Sequence, residues 1–99
     1  MNSRSKVTPC ACFSHDEQEG RYKIELELPG VDKRDIKLNM RKDSFCVSAP
    51  RGEETEYSGC YMLAHEVIPE KTEAHYESGL LRIFTPIRDW ESKVNVQIQ

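Results

Sequence analysis

Long apolar runs are missing from this sequence. Of its 99 residues 31% are charged, and no segment approaches the ~20 consecutive apolar residues that a membrane-spanning helix needs. Residues 1–6 also lack the apolar stretch of a secretory signal peptide. These absences predict a cytoplasmic protein with no membrane partner.

An excess of positive charge is also missing, because 14 Lys and Arg side chains face 17 Asp and Glu side chains. The net charge of −3 gives no basic surface for nucleic acid. The sequence contains no Gly-rich phosphate loop, and no local signature of a cysteine protease surrounds its cysteines and histidines. We therefore predict no nucleic-acid binding, no enzyme activity, no catalytic residue and no cofactor.

Alternation of apolar and polar residues is what the sequence does contain. In residues 22–28, Ile24, Leu26 and Leu28 occupy every second position, and a two-residue period is the signature of a β-strand. Further strand candidates are residues 36–40, 45–49, 60–68, 73–77, 80–85 and 93–99. About eight short strands with frequent turn residues predict an all-β, immunoglobulin-like antiparallel β-sandwich. The predicted core contains Ile24, Leu26, Leu28, Phe45, Val47, Leu81 and Ile83.

Glycine and proline mark the predicted connections between these strands. Ser78-Gly79 is a two-residue hairpin signal between residues 73–77 and 80–85. Residues 50–59 contain three glutamates, two glycines and a proline, so we expect an exposed loop there. Residues 1–9 are polar and carry no periodicity, which predicts a short flexible arm.

Three blocks of the sequence resemble the small heat-shock proteins, whose common unit is the α-crystallin domain. YKIELELPGV at residues 22–31, followed by DIKL at 35–38, is similar to a strand, Leu-Pro-Gly turn and strand of that family. AHYESGLLRIFTP at residues 74–86 resembles its hairpin. Val94-x-Val96 or Val96-x-Ile98 resembles its Ile-x-Ile tail motif. The resemblance implies an arm at residues 1–9, an α-crystallin domain at 10–86 and a C-terminal extension at 87–99.

The resemblance also implies a function in the stress response. Members of the family are ATP-independent chaperones (holdases) that bind exposed apolar segments of unfolding proteins. In many relatives a long loop carries an extra strand into a neighbouring subunit, but residues 50–59 are too few for that excursion. We therefore expect monomers or small oligomers that associate through the tail. The short loop also favours an alternative, a CS-domain-like co-chaperone that binds a folded chaperone partner.

The site that the resemblance implies is a groove. Ile36, Leu38 and Met40 share one face of a predicted strand, and a core position is the simplest reading of that face. In the family the corresponding strand instead forms one wall of a groove, beside the strand that here contains His75. The tail motif, with Val94, Val96 and Ile98, is then an occupant of the groove alongside unfolded proteins.

Cysteine usage leaves several interpretations. An even number of cysteines, here four, suggests two disulfides in a secreted mini-protein, but without a signal peptide reduced thiols are expected. Cys10-x-Cys12 with His15 nearby can be read as part of a zinc site or as a redox pair. A fourth zinc ligand would have to be Cys46, Cys60 or His65, brought in by the fold. We predict plain thiols and no metal.

Overall fold

A computed structural model describes residues 4–89 and 96–99, and it confirms the predicted β-sandwich. One four-stranded sheet has the order β1 (Ser5–Val7), β6 (Thr55–Met62), β5 (Ser44–Arg51) and β4 (Lys37–Met40). The other has the order β2 (Ala11–Asp16), β3 (Arg21–Glu27), β8 (Leu80–Pro86) and β7 (Glu73–Glu77). Short 3-10 helices, Lys33–Asp35 and Pro69–Lys71, precede β4 and β7. The described residues contain no helix with the length and hydropathy of a membrane span.

The core lies between the two sheets, and the side chains that form it occupy every second position of the strands. On β3 the side chains of Ile24 and Leu26 are fully buried, whereas Lys23 and Glu25 lie on the opposite face. All seven predicted core residues are at most 4% exposed, so that prediction is confirmed. Each such side chain contributes about 1.5–3 kcal/mol of transfer free energy. Buried residues that the sequence analysis did not name are Tyr22, Ala49, Tyr57, Leu63, Val67, Thr85 and Ile87.

The predicted hairpin between β7 and β8 is present. Ser78 and Gly79 have φ values of 52° and 82°, as a two-residue turn with two positive φ angles requires. The Gly79 carbonyl accepts a hydrogen bond of 2.7 Å from the Leu28 N–H. A Cβ at Gly79 would lie 3.3 Å from Cα of Pro29, so glycine also permits this close approach.

The connection between β5 and β6 is shorter than the sequence indicated. β5 continues to Arg51 and β6 begins at Thr55, so the prediction of a loop at residues 50–59 is wrong. The Tyr57 ring is buried, and its hydroxyl donates to the Pro29 carbonyl at 3.3 Å, which outweighs the loop-like composition. Pro50 lies beyond the part of β5 that pairs with β4, so its missing N–H removes no bond to that strand. β6 ends at Met62, short of the predicted residue 68.

The predicted flexible arm contains strand β1. Ser5–Val7 pairs in parallel with β6, and the Ser5 N–H donates to the Glu54 carbonyl at 2.8 Å. Arg4 Nε donates to the Gly52 carbonyl at 3.0 Å. A three-residue strand has too few positions for alternation to be visible in sequence, and its pairing strand is fifty residues away.

A disulfide joins Cys46 and Cys60, so the expectation that all cysteines are reduced is wrong for this pair. The two residues face each other in the β5–β6 register, and their Cα atoms are 4.1 Å apart. Cys10 and Cys12 are free and exposed. Neighbouring strands brought together cysteines that lie 14 positions apart in sequence, and composition gave no sign of that pairing.

Candidate functional site

Strands β4 and β7 are the free edges at one side of the sandwich. Among the described residues β4 pairs only with β5, and β7 pairs only with β8. At the opposite side, the Phe13 ring of β2 lies 6.0 Å from the Tyr61 ring of β6, which places those ends of the two sheets over each other. β4 and β7 therefore border the same side, as the predicted groove requires.

The inner face of β4 is apolar and incompletely covered. Leu38 and Met40 are the register partners of Val47 and Phe45, which are buried, so all four side chains face the core. Ile36 immediately precedes β4 and continues the alternation. Ile36, Leu38 and Met40 are half-buried and pack against the edge of the core. The structure thus brings these three predicted site residues together.

The backbone of β4 leaves N–H and C=O groups free for pairing along its outer edge. The Arg41 N–H donates to the Ser44 carbonyl at 2.8 Å, so Arg41 and Ser44 form a hydrogen-bonded antiparallel pair. Because such pairs alternate along a ladder, Leu38 and Met40 direct their N–H and C=O groups away from β5. Within residues 4–89 no hydrogen bond uses these edge groups. An extended peptide can pair with them.

Tyr76 contributes the β7 side of this region. Its register partner is the buried Leu81, so the ring faces inward, and it is half-buried against the core. The Tyr76 hydroxyl donates to the Leu28 carbonyl at 2.7 Å and lies 3.4 Å from the Val31 carbonyl. It therefore fixes β7 to the segment that crosses from β3 to β4. Tyr76 was not among the predicted site residues, although its position opposite Leu81 across the two-residue turn is a sequence signal for it.

His75 lies on the other face of β7. Its register partner is Arg82, whose guanidinium pairs with the Glu25 carboxylate at 3.3 Å on the outer surface. The His75 ring is 6.2 Å from the Phe84 ring, on that same outer face. The sheet therefore separates His75 from Ile36, Leu38 and Met40. A one-residue step along a strand reverses the side-chain direction, which is why Tyr76 occupies the place expected for His75.

The tail is only partly described. Val96 and Ile98 are 81% and 93% exposed, and residues 96–99 are not in a strand. Val94 lies outside the described residues. Docking of the tail into the groove therefore stays a prediction.

Asp32 shapes the turn that leads into β4. Its carboxylate accepts a hydrogen bond from the Arg34 guanidinium at 3.0 Å and from the Arg34 N–H at 3.0 Å. The side-chain hydrogen bond is the larger cause and holds the pKa of Asp32 below its ordinary value. The carboxylate thereby caps the 3-10 helix ahead of Ile36.

The cysteine and histidine residues do not assemble into a metal centre. Among the described residues no group of three or more His, Cys, Asp or Glu side chains could hold a metal ion. The Cys46–Cys60 disulfide removes two of the three candidates for the fourth zinc ligand and leaves His65. His15 and His65 do approach each other, with ring centroids 5.4 Å apart.

Comparisons with solved structures decide the fold. HSP18.5 from E. histolytica aligns with a TM-score of 0.75 and 17% identity over 93% of this chain and 99% of that one. Heat shock protein 16.0 from Schizosaccharomyces pombe aligns with a TM-score of 0.71 and 18% identity over 94% and 97%. This chain has the α-crystallin fold of the small heat shock proteins. Neither a family model nor a curated protein sequence matches it.

A third solved structure aligns with this chain over a similar share of its length. A small heat-shock protein from Xylella fastidiosa aligns with a TM-score of 0.72 and 17% identity over 96% of this chain and 97% of that one. The α-crystallin fold therefore accounts for nearly the whole chain. At such identities the sandwich is retained while most side chains differ, so function has to be argued from the groove itself.

Proposed function

We propose that this chain belongs to the small heat-shock protein family and acts as an ATP-independent holdase. Its partners are then unfolding proteins, and the receptor is the groove at β4. The observation that carries the proposal is that Leu38 and Met40 present half-buried apolar side chains and unpaired edge backbone groups together. A partner needs both an extended backbone and alternating apolar side chains to use such a site, and unfolded segments supply both.

The energetics of this groove suit reversible capture. Each Leu, Ile or Val inserted beside Ile36, Leu38 and Met40 gains at most about 1.5–3 kcal/mol. Ordering the client backbone costs about 1–2 kcal/mol per residue, which offsets much of that gain. The net affinity of one short segment is therefore modest. A holdase benefits from this, because a client must be released before it can refold.

We also propose that the chain's own tail competes for this groove. Val94, Val96 and Ile98 alternate as a groove ligand must, and Val96 and Ile98 are exposed. Docking on the same chain would shield the groove, and docking on another copy would join subunits. Such self-association uses the same contacts as client binding, so the two are expected to be mutually exclusive.

The substitution Leu38→Glu tests the proposed groove. A carboxylate at this position opposes burial of an apolar partner, so suppression of client aggregation should be largely lost, as followed by light scattering of a heat-denatured protein. A synthetic peptide of residues 93–99 should bind the wild-type chain and not the variant. Asn39→Glu is the matched control, because Asn39 is exposed on the outer face of the same strand.

Two other outcomes of this experiment would contradict the expected loss of activity in a folded variant. A folded Leu38→Glu variant that suppresses aggregation normally would remove the groove from the mechanism. An unfolded variant would assign Leu38 to the core instead, and the milder Leu38→Ser would then be needed to measure client binding. Circular dichroism before the assay distinguishes these cases.

One observation favours a CS-domain-like co-chaperone as the second candidate. Only residues 52–54 connect β5 and β6, so the strand-bearing loop of many small heat-shock proteins has no counterpart there. A co-chaperone binds a folded partner and leaves aggregation of unfolded clients unchanged. Failure of the wild-type chain to suppress aggregation would favour this alternative.

A further inference from the structure

Strand β2 is a free edge with its own apolar cleft. In the described part of the chain it pairs only with β3, and the Glu27 N–H donates to the Cys10 carbonyl at 3.0 Å. The alternation of an antiparallel ladder then directs the backbone groups of Cys10 and Cys12 toward β3 and those of Ala11 and Phe13 toward the free edge. The Phe13 side chain is 42% exposed and borders a cleft of about 240 Å³ that Met62 and Leu63 also line.

β2 has a longer uncharged stretch than the other described edge strands, because its one charged residue, Asp16, is its last. β7 carries Glu73 and Glu77, β4 carries Lys37 and β1 carries Lys6. Charged side chains on an edge strand discourage pairing with another chain. Residues 11–15 contain no Asp, Glu, Lys or Arg. β2 therefore offers five uncharged positions in a row to a further strand, whereas β4, the edge assigned to clients, offers three after Lys37.

The charges that flank β2 favour an antiparallel copy of the same strand. Arg4 and Lys6 precede β2, whereas Asp16 and Glu19 lie at its end and in the turn that follows. Antiparallel pairing of two copies directs the acidic end of one β2, where Asp16 and Glu19 also pair with Arg21 of their own chain, toward the β1 segment of the other copy. In a symmetric dimer this attraction between opposite charges occurs at both ends of the strand pair.

The thiol of Cys12 fits one register of such a dimer. Cys12 is exposed on the outer face of β2, and its backbone groups point away from the free edge. Opposite a copy of itself it would therefore occupy a non-hydrogen-bonded pair, in which Cα atoms lie about 4.5 Å apart. Cys46 and Cys60 show that this chain joins facing strand cysteines, with Cα atoms 4.1 Å apart.

We propose that β2 is a self-association edge on which Cys12 forms a disulfide with the same cysteine of a second copy under oxidation. In this register Ala11 faces Phe13 of the second copy, so the small side chain leaves room for that ring beside the cleft. Ala11 and Phe13 also exchange the edge hydrogen bonds. The proposal concerns β2 and does not rest on the holdase function assigned to β4.

A peroxide is the oxidant class that balances the reaction. The thiolate of one Cys12 attacks a peroxide oxygen, which breaks the O–O bond, releases water and leaves a sulfenic acid. The thiol of the second Cys12 then attacks that sulfur and displaces a second water as the S–S bond forms. Two thiols and one hydrogen peroxide thus give one disulfide and two waters. The sulfur atoms are oxidised and the peroxide oxygens are reduced.

Treatment of the full chain with hydrogen peroxide tests the proposal. Non-reducing electrophoresis should show a species of twice the chain mass, and peptide mass spectrometry should identify Cys12 joined to Cys12. Cys12→Ser should lose this dimer, whereas Cys10→Ser, the matched control two residues earlier on the same face, should retain it. A disulfide between Cys10 and Cys12 of one chain, or a dimer that persists in Cys12→Ser, would overturn the proposal.

The register can be tested separately. In the proposed pairing Cys10 faces Ser14 of the second copy, so the double variant Cys12→Ser with Ser14→Cys should recover the dimer through position 10 and position 14. Adding Cys10→Ser to that variant should abolish it. Absence of recovery in a folded double variant would refute the register. Glu77→Cys in a Cys10→Ser, Cys12→Ser background places one thiol on the β7 edge instead. If this variant forms the disulfide dimer at the wild-type rate, exposure of a thiol is sufficient and the β2 edge has no special role.

Discussion

Strands β3 and β4 carry the same sequence pattern and end in different environments. Ile24 and Leu26 on β3 are fully buried, whereas Leu38 and Met40 on β4 are half-buried. β3 lies between β2 and β8 within its sheet, but among the strands that the structure describes β4 has a neighbour on one side only. Alternation therefore tells which face of a strand is apolar, and the position of the strand in its sheet decides how completely that face is covered.

Truncation of the central strand should have the largest effect on stability. Leu26→Ala removes a fully buried side chain and should lower the free energy of unfolding by about 2–5 kcal/mol, as measured by urea denaturation. Denaturation is best compared in the presence of the Cys46–Cys60 disulfide in both proteins. If Leu26→Ala leaves the free energy of unfolding unchanged within experimental error, the complete burial of β3 adds no stability over the partial burial of β4.

The same truncation on the edge strand should cost less. Leu38 is half-buried and solvent can fill the vacated space, so we expect Leu38→Ala to lower the free energy of unfolding by about 1–2 kcal/mol. Asn39→Ala, on the exposed face of β4, serves as the control and should change stability by less than about 0.5 kcal/mol. If Leu38→Ala equals Leu26→Ala, the β4 face is core and the contrast between the two strands disappears.

Loss of one hydroxyl beside the groove should have the smallest effect. Tyr76→Phe keeps the ring and removes the 2.7 Å hydrogen bond to the Leu28 carbonyl, so a loss of about 0.5–1.5 kcal/mol is expected. In the Tyr76→Phe variant, hydrogen exchange should show faster opening of β7 than of β3, because the lost hydrogen bond held β7 to the segment between β3 and β4. Equal protection of both strands would indicate that β7 is held by β8 alone.

Local chemistry was sufficient for much of the fold. The Ser78-Gly79 turn was predictable because two positive φ angles in a two-residue loop favour glycine. The inward positions of β3, β5 and β8 were predictable because the side-chain period of a strand is two residues. The shared apolar face of Ile36, Leu38 and Met40 followed from the same period, and its assignment to a groove rests on the family resemblance.

Other features depended on which strands pair and in which register. Residues 50–59 have the composition of a loop, but the ladder between β5 and β6 and the buried Tyr57 ring make most of them strand. His75 was expected in the groove, but the β7–β8 register turns it outward and turns Tyr76 inward. Composition carries no information on the β5–β6 register, so the loop error could not be avoided, whereas the two-residue turn already implied that Tyr76 lies opposite Leu81.

The sequence by itself determined the all-β class, the faces of the central strands and the β7–β8 turn, because these follow from backbone sterics and nearest neighbours. Only the tertiary structure decided that β1 is a strand, that Cys46 and Cys60 are joined and that β2, β4 and β7 are edges. Pairing brings together residues fifty or more positions apart, such as Ser5 with Thr55 and Arg21 with Pro86. Edges, and therefore sites, exist only once the order of strands in each sheet is fixed.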